Sequence, residues 1–529
     1  MKPFLASMPL VAFWASQAFA AAFPTTTDLE PRDTADVACE NGPLSRACWS
    51  DGYSIATDFD RNSHLQARLW YVKAKGGSVV FMSETSAYPM RLTLGHAERL
   101  CFLINGVYPG PTIRANWGDY LVINVTNSMQ DNGTSIHWHS VRQYHTPGAD
   151  GVGGLTRLRP GTSRVHAFNV TQFGTSWYHA HYSSQYGDGD VGTIIFDGPA
   201  SGNYDEDLGV YTLSEWYYQT AFQINALTNV NLQNKAPPPN ADNMLINGTN
   251  KDADGNGNYG QVTVESDKKY RLRLVNINVD NYIQVSLDNH PFEVIAADFT
   301  AGNYWFRSNV SSDCQSGSNF YGRAIWSYSN VTSSTPQSTA FTEPTTCDPS
   351  GPLTPYWDQS VPSSEFESQL NNMGVNLTQA VVVADTSAIV VWSLNASIAV
   401  SWQNSTLSYV MNGNTSYPKE LDLVETTAVG GWNYWLLQQA TDNPSLPHPI
   451  HLHRPDFFVL GYGSSAHNSS TANLNFDNPT RRDTASIPGG GGWLAVAFQS
   501  NNAGSWLMHC YITWHVSEDL GMQFLESPD

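Results

Sequence analysis

The sequence predicts an all-β chain built of sandwich-like domains. Short apolar runs recur along its length, at Leu121–Val125, Val165–Val170, Gly192–Phe196, Gln261–Val264, Arg271–Asn276 and Ala380–Ala384. Clusters of Gly, Pro, Asn and Asp separate these runs. No long amphipathic helical stretch interrupts the pattern. At 529 residues the chain outgrows one hydrophobic core, so about two to four domains are expected. A hydrophobic content of 41% excludes a disordered chain. The net charge of −21, with no basic cluster, argues against nucleic acid or an anionic membrane surface as a partner.

Taken in chain order, residues 1–20 read as an export signal. Lys2 gives the positive start, Leu5 to Ala15 is mostly apolar, and Ala18-Phe19-Ala20 is a small-x-small cleavage site. Residues 21–60 form an N-terminal extension. No later stretch reaches the roughly 20 apolar residues of a membrane span. The expectation is therefore a secreted, extracellular chain without a membrane anchor, and a monomer. Eleven Asn-x-Ser/Thr sequons, among them Asn124, Asn169, Asn247, Asn330, Asn395 and Asn468, suit a secreted glycoprotein. Cys39 and Cys48 flank a short loop, and Cys314 and Cys347 flank a polar stretch. An oxidising compartment would favour both bridges, although spacing alone leaves the pairing open. Cys101, in the apolar run Leu100–Ile104, reads as a buried thiol.

Domain boundaries follow from the turn-rich stretches. Pro237-Pro238-Pro239 marks a linker or surface loop, and Ser308 to Pro355 reads as an interdomain connection. The predicted domains are 61–200, 201–355 and 356–529. Histidine-rich segments lie only at 137–181 and 448–515. Between them stands His290 alone, so the middle domain is read as a spacer.

Four segments carry chemistry. On a strand, alternate side chains leave the same face, so His137 and His139 project together with Trp138 opposite. His179-Ala180-His181 repeats the arrangement. Either pair alone is explained as well by hydrogen-bonded surface histidines. His448-Pro449-Ile450-His451-Leu452-His453 packs three histidines into six residues, which ordinary core packing does not call for. The decisive segment is Met508-His509-Cys510-Tyr511-Ile512-Thr513-Trp514-His515. There a thiolate and an imidazole leave opposite faces of one strand and can serve two metal sites across one peptide bond. Cys510 with two imidazoles makes the trigonal set of a blue-copper site, and His448 and His515 are its natural partners. His137, His139, His179, His181, His451, His453 and His509 can surround further ions. A zinc hydrolase would account for the histidines but not for a lone cysteine flanked by one.

At this point the chain resembles the multicopper oxidases and, within them, the laccases of filamentous ascomycete fungi. The likeness runs from about Ala38 to Phe524. It is carried by Arg46 to Tyr53, Asn105-Gly106, Gly110 to Ile113, Trp177 to His181, Ser184 to Gly189, His448 to His453 and Asn478 to Asp483. The resemblance implies three cupredoxin-like Greek-key domains and four coppers: one type 1, one type 2 and a type 3 pair. Residue by residue, it gives His448, Cys510 and His515 to the type 1 copper, with Leu520 at the axial position. Leucine donates nothing to the metal, so a high reduction potential is expected. His137 and His451 fall at type 2, and His139, His179, His181, His453 and His509 at type 3. Asp150 matches an acid that assists proton delivery to oxygen. Glu215, in Ser214-Glu215-Trp216-Tyr217-Tyr218, matches an acid that meets phenolic substrates beside type 1 and accepts their proton. Cys510 and His515 would carry the electron. Disulfides Cys39–Cys48 and Cys314–Cys347 are also implied.

The chain departs from the family pattern in several places. Tyr511 stands where the family has an eighth cluster histidine, which puts one type 3 ion in question. Gly148 replaces a tryptophan, and Leu158-Arg159-Pro160 replaces a Cys-Pro-Ile run. After Ala296-Ala297-Asp298 the chain jumps to Gly302 to Arg307 without the family's Gly-Gln-Arg-Tyr-Asp motif. The middle domain is therefore expected to be short near 299–302 and to expose sheet edges.

The leading expectation is a laccase-like benzenediol:oxygen oxidoreductase. It would take single electrons from phenols or aromatic amines, as in lignin breakdown or pigment formation, and reduce O2 to water. A metal oxidase of the ferroxidase kind would need several carboxylates near type 1, where only Glu215 is nominated. A degenerate copper-binding or pigment-associated protein, impaired by Tyr511, is the reading from another class.

Overall fold

The computed structural model describes residues 99–527 apart from short stretches, of which the longest are 293–302, 341–358 and 396–405; it also describes the backbone of four strands between 68 and 90. The expectations for residues 1–60, including Cys39–Cys48, lie outside the described residues, as do Cys347 and the junction at 299–302. Cys314 is disulfide-bonded.

The strands pair into successive groups of sheets. In the first, Asp119–Ser128 is flanked by Phe81–Met90 and Ser163–Asn169 and faces a four-stranded sheet ordered Gly110–Asn116, Val191–Asp197, Gly174–Ala180, Ile136–Trp138. Burial along Asp119–Ser128 alternates strictly, which sends Leu121, Ile123 and Val125 into the core with Trp138, Phe168 and Tyr178. In the second group, Glu206–Trp216 lies between Asn243–Ile246 and Tyr270–Asn276. A four-stranded sheet packs against it around Phe306, Trp326 and Tyr328. In the third, a six-stranded sheet centred on Trp432–Gln439 and Trp493–Gln499 packs on a five-stranded sheet. That second sheet is ordered Leu423–Glu425, Gly521–Glu526, Gly504–Cys510, His448–Leu452, Thr484–Ile487. The architecture is that of all-β, cupredoxin-like domains, as expected.

Two readings need correction. Ser308–Pro355 is not wholly a connection: Gly322–Tyr328 is a strand paired with both Gly260–Val264 and Asn303–Val310. Its Ala324, Trp326 and Tyr328 fill the middle core, which the polar average of the longer stretch hid. A helix was also missed. Ala221–Gln233 begins at a capping box in which Thr220 and Gln223 satisfy each other's backbone N–H groups. Only Ala221, Ile224 and Thr228 are buried, so the helix lacks the broad apolar stripe that periodicity detects.

The altered positions of the first group are absorbed locally. Leu158 is buried, and its backbone exchanges hydrogen bonds with Thr134 at 2.7 and 3.0 Å. The shortened middle group keeps its pairing, with Ile283–Leu287 antiparallel to Asn303–Val310 on either side of the undescribed junction.

Candidate metal centres

The register of two hairpin-like pairs assembles the histidines. His179 lies directly opposite His137 on neighbouring antiparallel strands, and His451 lies opposite His509. His139 and His181 leave just past the ends of their strands. All seven rings converge in the interior, with neighbouring centroids such as His137–His453 at 4.0 Å and His139–His451 at 4.2 Å. Contacts between distant segments hold the two halves together. Asn502 donates to the Arg142 carbonyl at 2.9 Å and receives the His145 N–H at 3.0 Å.

Outer hydrogen bonds fix which nitrogen carries the proton on six of the seven rings. His137 Nδ1 lies 2.9 Å from the Asp150 carbonyl, and His451 Nδ1 lies 2.9 Å from that of Asp483. His453 Nδ1 meets the Asp150 carboxylate at 3.0 Å, and His139 Nε2 meets that of Asp483 at 2.9 Å. His179 Nδ1 faces the Ala180 carbonyl at 3.0 Å, and His509 Nδ1 that of Cys510 at 2.6 Å. These oxygens only accept, so the ring nitrogen against each one donates and the opposite nitrogen presents a lone pair inward. Gly151, at φ +89°, is required for this arrangement: a Cβ there would lie 1.6 Å from the Ile136 carbonyl, so only glycine lets the Asp150 loop reach His137.

Apart from His179 Nε2, the inner nitrogens lack protein partners that could satisfy them. His137 Nε2, His139 Nδ1 and His451 Nε2 are buried without a hydrogen-bond partner. His453 Nε2 and His509 Nε2 face each other at 2.9 Å, and His181 Nε2 lies 3.3 Å from His509 Nε2. Burial holds His181, His453 and His509 well below their ordinary pKa, His509 at about 3, and neighbouring rings push in the same direction. Facing lone pairs on neutral rings repel, and a cation between them removes the conflict. The donor set fits metal ions. Asp483 was not given a role from sequence. Burial works to raise its pKa, but the facing His139 and His451 more than reverse this, so it stays a carboxylate.

A second set lies on the other face of the same strand. Cys510 Sγ is 3.7 Å from His448 Nδ1 and 3.5 Å from His515 Nδ1, and the two nitrogens are 3.1 Å apart. Bonds of about 2.0–2.3 Å to imidazole and thiolate put trigonal ligand atoms about 3.5 Å apart, which is what these three atoms show. Burial, with Asp280 acting in the same direction, pushes the Cys510 thiol well up, so a thiolate here calls for a cation within reach. Leu520 is fully buried and packs in the same core as Cys510. Trp392 packs on both imidazoles, at 4.6 and 5.0 Å. His515 keeps 9% of its surface exposed while His448 and Cys510 keep none, so its ring is the edge of the set nearest solvent.

Glu215 lies within the strand Glu206–Trp216 rather than on a loop, and it is 7% exposed. Its carboxylate receives the backbone N–H groups of Val279 and Asp280 at 2.7 and 2.9 Å, and the amide of Asn281. Burial raises the pKa of both Glu215 and its neighbour Asp280. Thr513 N–H donates to the Val279 carbonyl at 2.8 Å, which ties this turn to the helical turn bearing His515. Tyr511 reaches the cluster instead of an imidazole, with its Oη 3.0 Å from His179 Nε2. His290 is a structural histidine, its Nδ1 bonded to the Asp288 carbonyl at 2.7 Å.

Comparison with known proteins decides the family. Three profiles described as multicopper oxidase match residues 85–201, 207–302 and 391–529. Laccase-3 of Botryotinia fuckeliana is 43% identical over 79% of this chain and all of its own length. This chain belongs to the multicopper oxidases. Laccase-1 of Melanocarpus albomyces is 38% identical over 95% of this chain and 84% of its own. The crystal structure of the laccase from Botrytis aclada superposes with a TM-score of 0.79 at 33% identity, covering 92% of this chain and 93% of that one. The protein is a laccase-like oxidoreductase, and copper is the metal its family implies.

Proposed function

We propose that this multicopper oxidase takes single electrons from phenols or aromatic amines at His515 and passes them to O2, which is reduced to water in the histidine cluster. One observation carries the reading: the Cys510–His509 peptide bond joins a buried Cys-His-His set, with His515 its most exposed member, to the cluster of imidazoles. Copper, when bound, supplies the one-electron couple at the first set and the oxygen-reducing centre at the second.

On this reading His448, Cys510 and His515 hold type 1, with Leu520 axial. His137 and His451 hold type 2, and His181, His453 and His509 hold one type 3 ion. His139 and His179 flank the other type 3 position. Asp150 has two duties. Its carbonyl and carboxylate orient His137 and His453, and the same carboxylate is the buried group best placed to hand protons inward. Glu215 braces the 279–281 turn beside His515, and with Asp280 it forms the acidic pair nearest to where a phenol proton leaves. A metal-oxidising role needs acids that reach an ion beside His515. Glu215 spends its carboxylate on three internal donors, so the phenol reading is preferred. Domains 61–200, 201–355 and 356–529, secretion, glycosylation, a monomeric state and a Cys314–Cys347 bridge belong to the same proposal.

A weaker oxidase is the second reading, and Tyr511 favours it. Anaerobic addition of 2,6-dimethoxyphenol tests both. Bleaching of the blue absorption, followed by its return on admitting O2, supports the oxidase. Bleaching without return supports the impaired protein, and a blue band that phenol does not bleach sinks electron uptake at His515.

A further inference from the structure

The phenol in the cluster has a defined partner. Tyr511 is pinned beside the strand His448–Leu452 by its own N–H, which donates to the Pro449 carbonyl at 2.6 Å. Its ring stacks on that of His509, with centroids 5.9 Å apart, and lies edge-on to His139 at 5.0 Å and Trp177 at 5.8 Å. The hydroxyl ends 3.0 Å from His179 Nε2. Since His179 Nδ1 donates to the Ala180 carbonyl, Nε2 must accept, and the phenol O–H is the donor. The one lone pair His179 could offer a metal is therefore occupied. Trp177, stacked on the His179 ring at 4.3 Å, keeps that ring in place.

The remaining inward nitrogens divide unevenly. His137 and His451 offer a pair, and His181, His453 and His509 offer a triad. His139 has His137 and His179 within reach, but His137 is taken by the pair with His451 and His179 by Tyr511. An ion placed between His139 and His179 would have one nitrogen available where each neighbouring position has two or three.

The geometry points to a cluster that holds two ions rather than three: the Tyr511 hydroxyl, donating to His179 Nε2, closes the position that His139 and His179 would otherwise share. This rests on the copper assignments proposed above. The chain then carries three coppers, and no two of them form the magnetically coupled pair that the resemblance implies. Every oxidised copper ion is consequently visible by electron paramagnetic resonance.

Elemental analysis and spin counting on the oxidised, copper-loaded protein test this without reference to turnover. The expected result is three coppers per chain with a spin intensity that accounts for all of them. A count of four overturns the inference, whether two ions are spin-silent or a copper-bound phenolate adds its own absorption. A count below three with the blue band intact also overturns it, because Tyr511 would then disrupt more than one position. Tyr511→His should add the fourth ion and lower the visible spins from three to two, and failure to gain the ion in a folded variant overturns the inference. Should that variant not fold, the count on the parent protein decides alone. Absence of the blue band from the parent would instead defeat the proposed function.

Discussion

The Cys-His-His set and the imidazole cluster differ in how the chain builds them. His448, Cys510 and His515 come from one sheet and the turn that follows it, so that set is complete once the third group of strands folds. The cluster draws His137, His139, His179 and His181 from the first group of strands and His451, His453 and His509 from the third. It depends on two acids that each serve both halves: Asp150 for His137 and His453, and Asp483 for His139 and His451. The lesson concerns tolerance. A set built from one local unit has no slack, whereas the cluster accommodates a phenol because a neighbouring imidazole accepts its hydrogen bond.

This contrast can be broken by variants on either side. Cys510→Ser should have the largest effect, abolishing the blue absorption and reducing phenol oxidation to background while copper remains on the cluster histidines. Loss of all copper from that variant would show that the two sets are not independent. Asp150→Ala should act on the cluster alone. It removes the partner of His453 Nδ1, and removal of such an orienting group typically costs about 10–100-fold in metal affinity. Competition with a chelator reads this, and the blue band should be unchanged.

Leu520→Met should be milder. A thioether at the axial position stabilises Cu(II), so the reduction potential falls and phenol oxidation slows several-fold. Redox titration checks the direction, and an unchanged potential would mean that residue 520 does not face the copper.

The smallest effect is expected away from both sites. Asp422 is buried, its Oδ2 has no hydrogen-bond partner, and burial raises its pKa to about 7. In the unfolded chain it titrates near about 3.9. The folded state therefore holds a proton that the unfolded state has already released, and the carboxyl destabilises the fold increasingly as pH rises from about 4 to about 7. Asp422→Asn should raise the melting temperature by a few degrees at pH 8, corresponding to about 1–2 kcal/mol, and leave it unchanged at pH 4. Asparagine also tolerates the φ of +43° at this position.

Much of the site was legible because strand periodicity is local. Alternation alone put Cys510 and His509 on opposite faces, and the structure has them facing His515 and His453 respectively. The spacing of His448, His451 and His453 likewise announced a donor set. Glu215 was less legible. Its neighbours in sequence say nothing of Val279 to Asn281, whose backbone and amide surround it. Asp483 was visible only as part of a family-like stretch, because the His139 it serves is far away in the chain.

The sequence by itself determined the all-β class, the family and the identity of the donor side chains, since these depend on residue type and on repeats of two along a strand. Tertiary structure decided which segments meet, which nitrogen of each imidazole faces inward, and that the Tyr511 hydroxyl ends on His179. Several of these contacts, among them His453–Asp150, His139–Asp483 and Tyr511–His179, join residues hundreds of positions apart, and their geometry exists only after the first and third groups of strands have packed together.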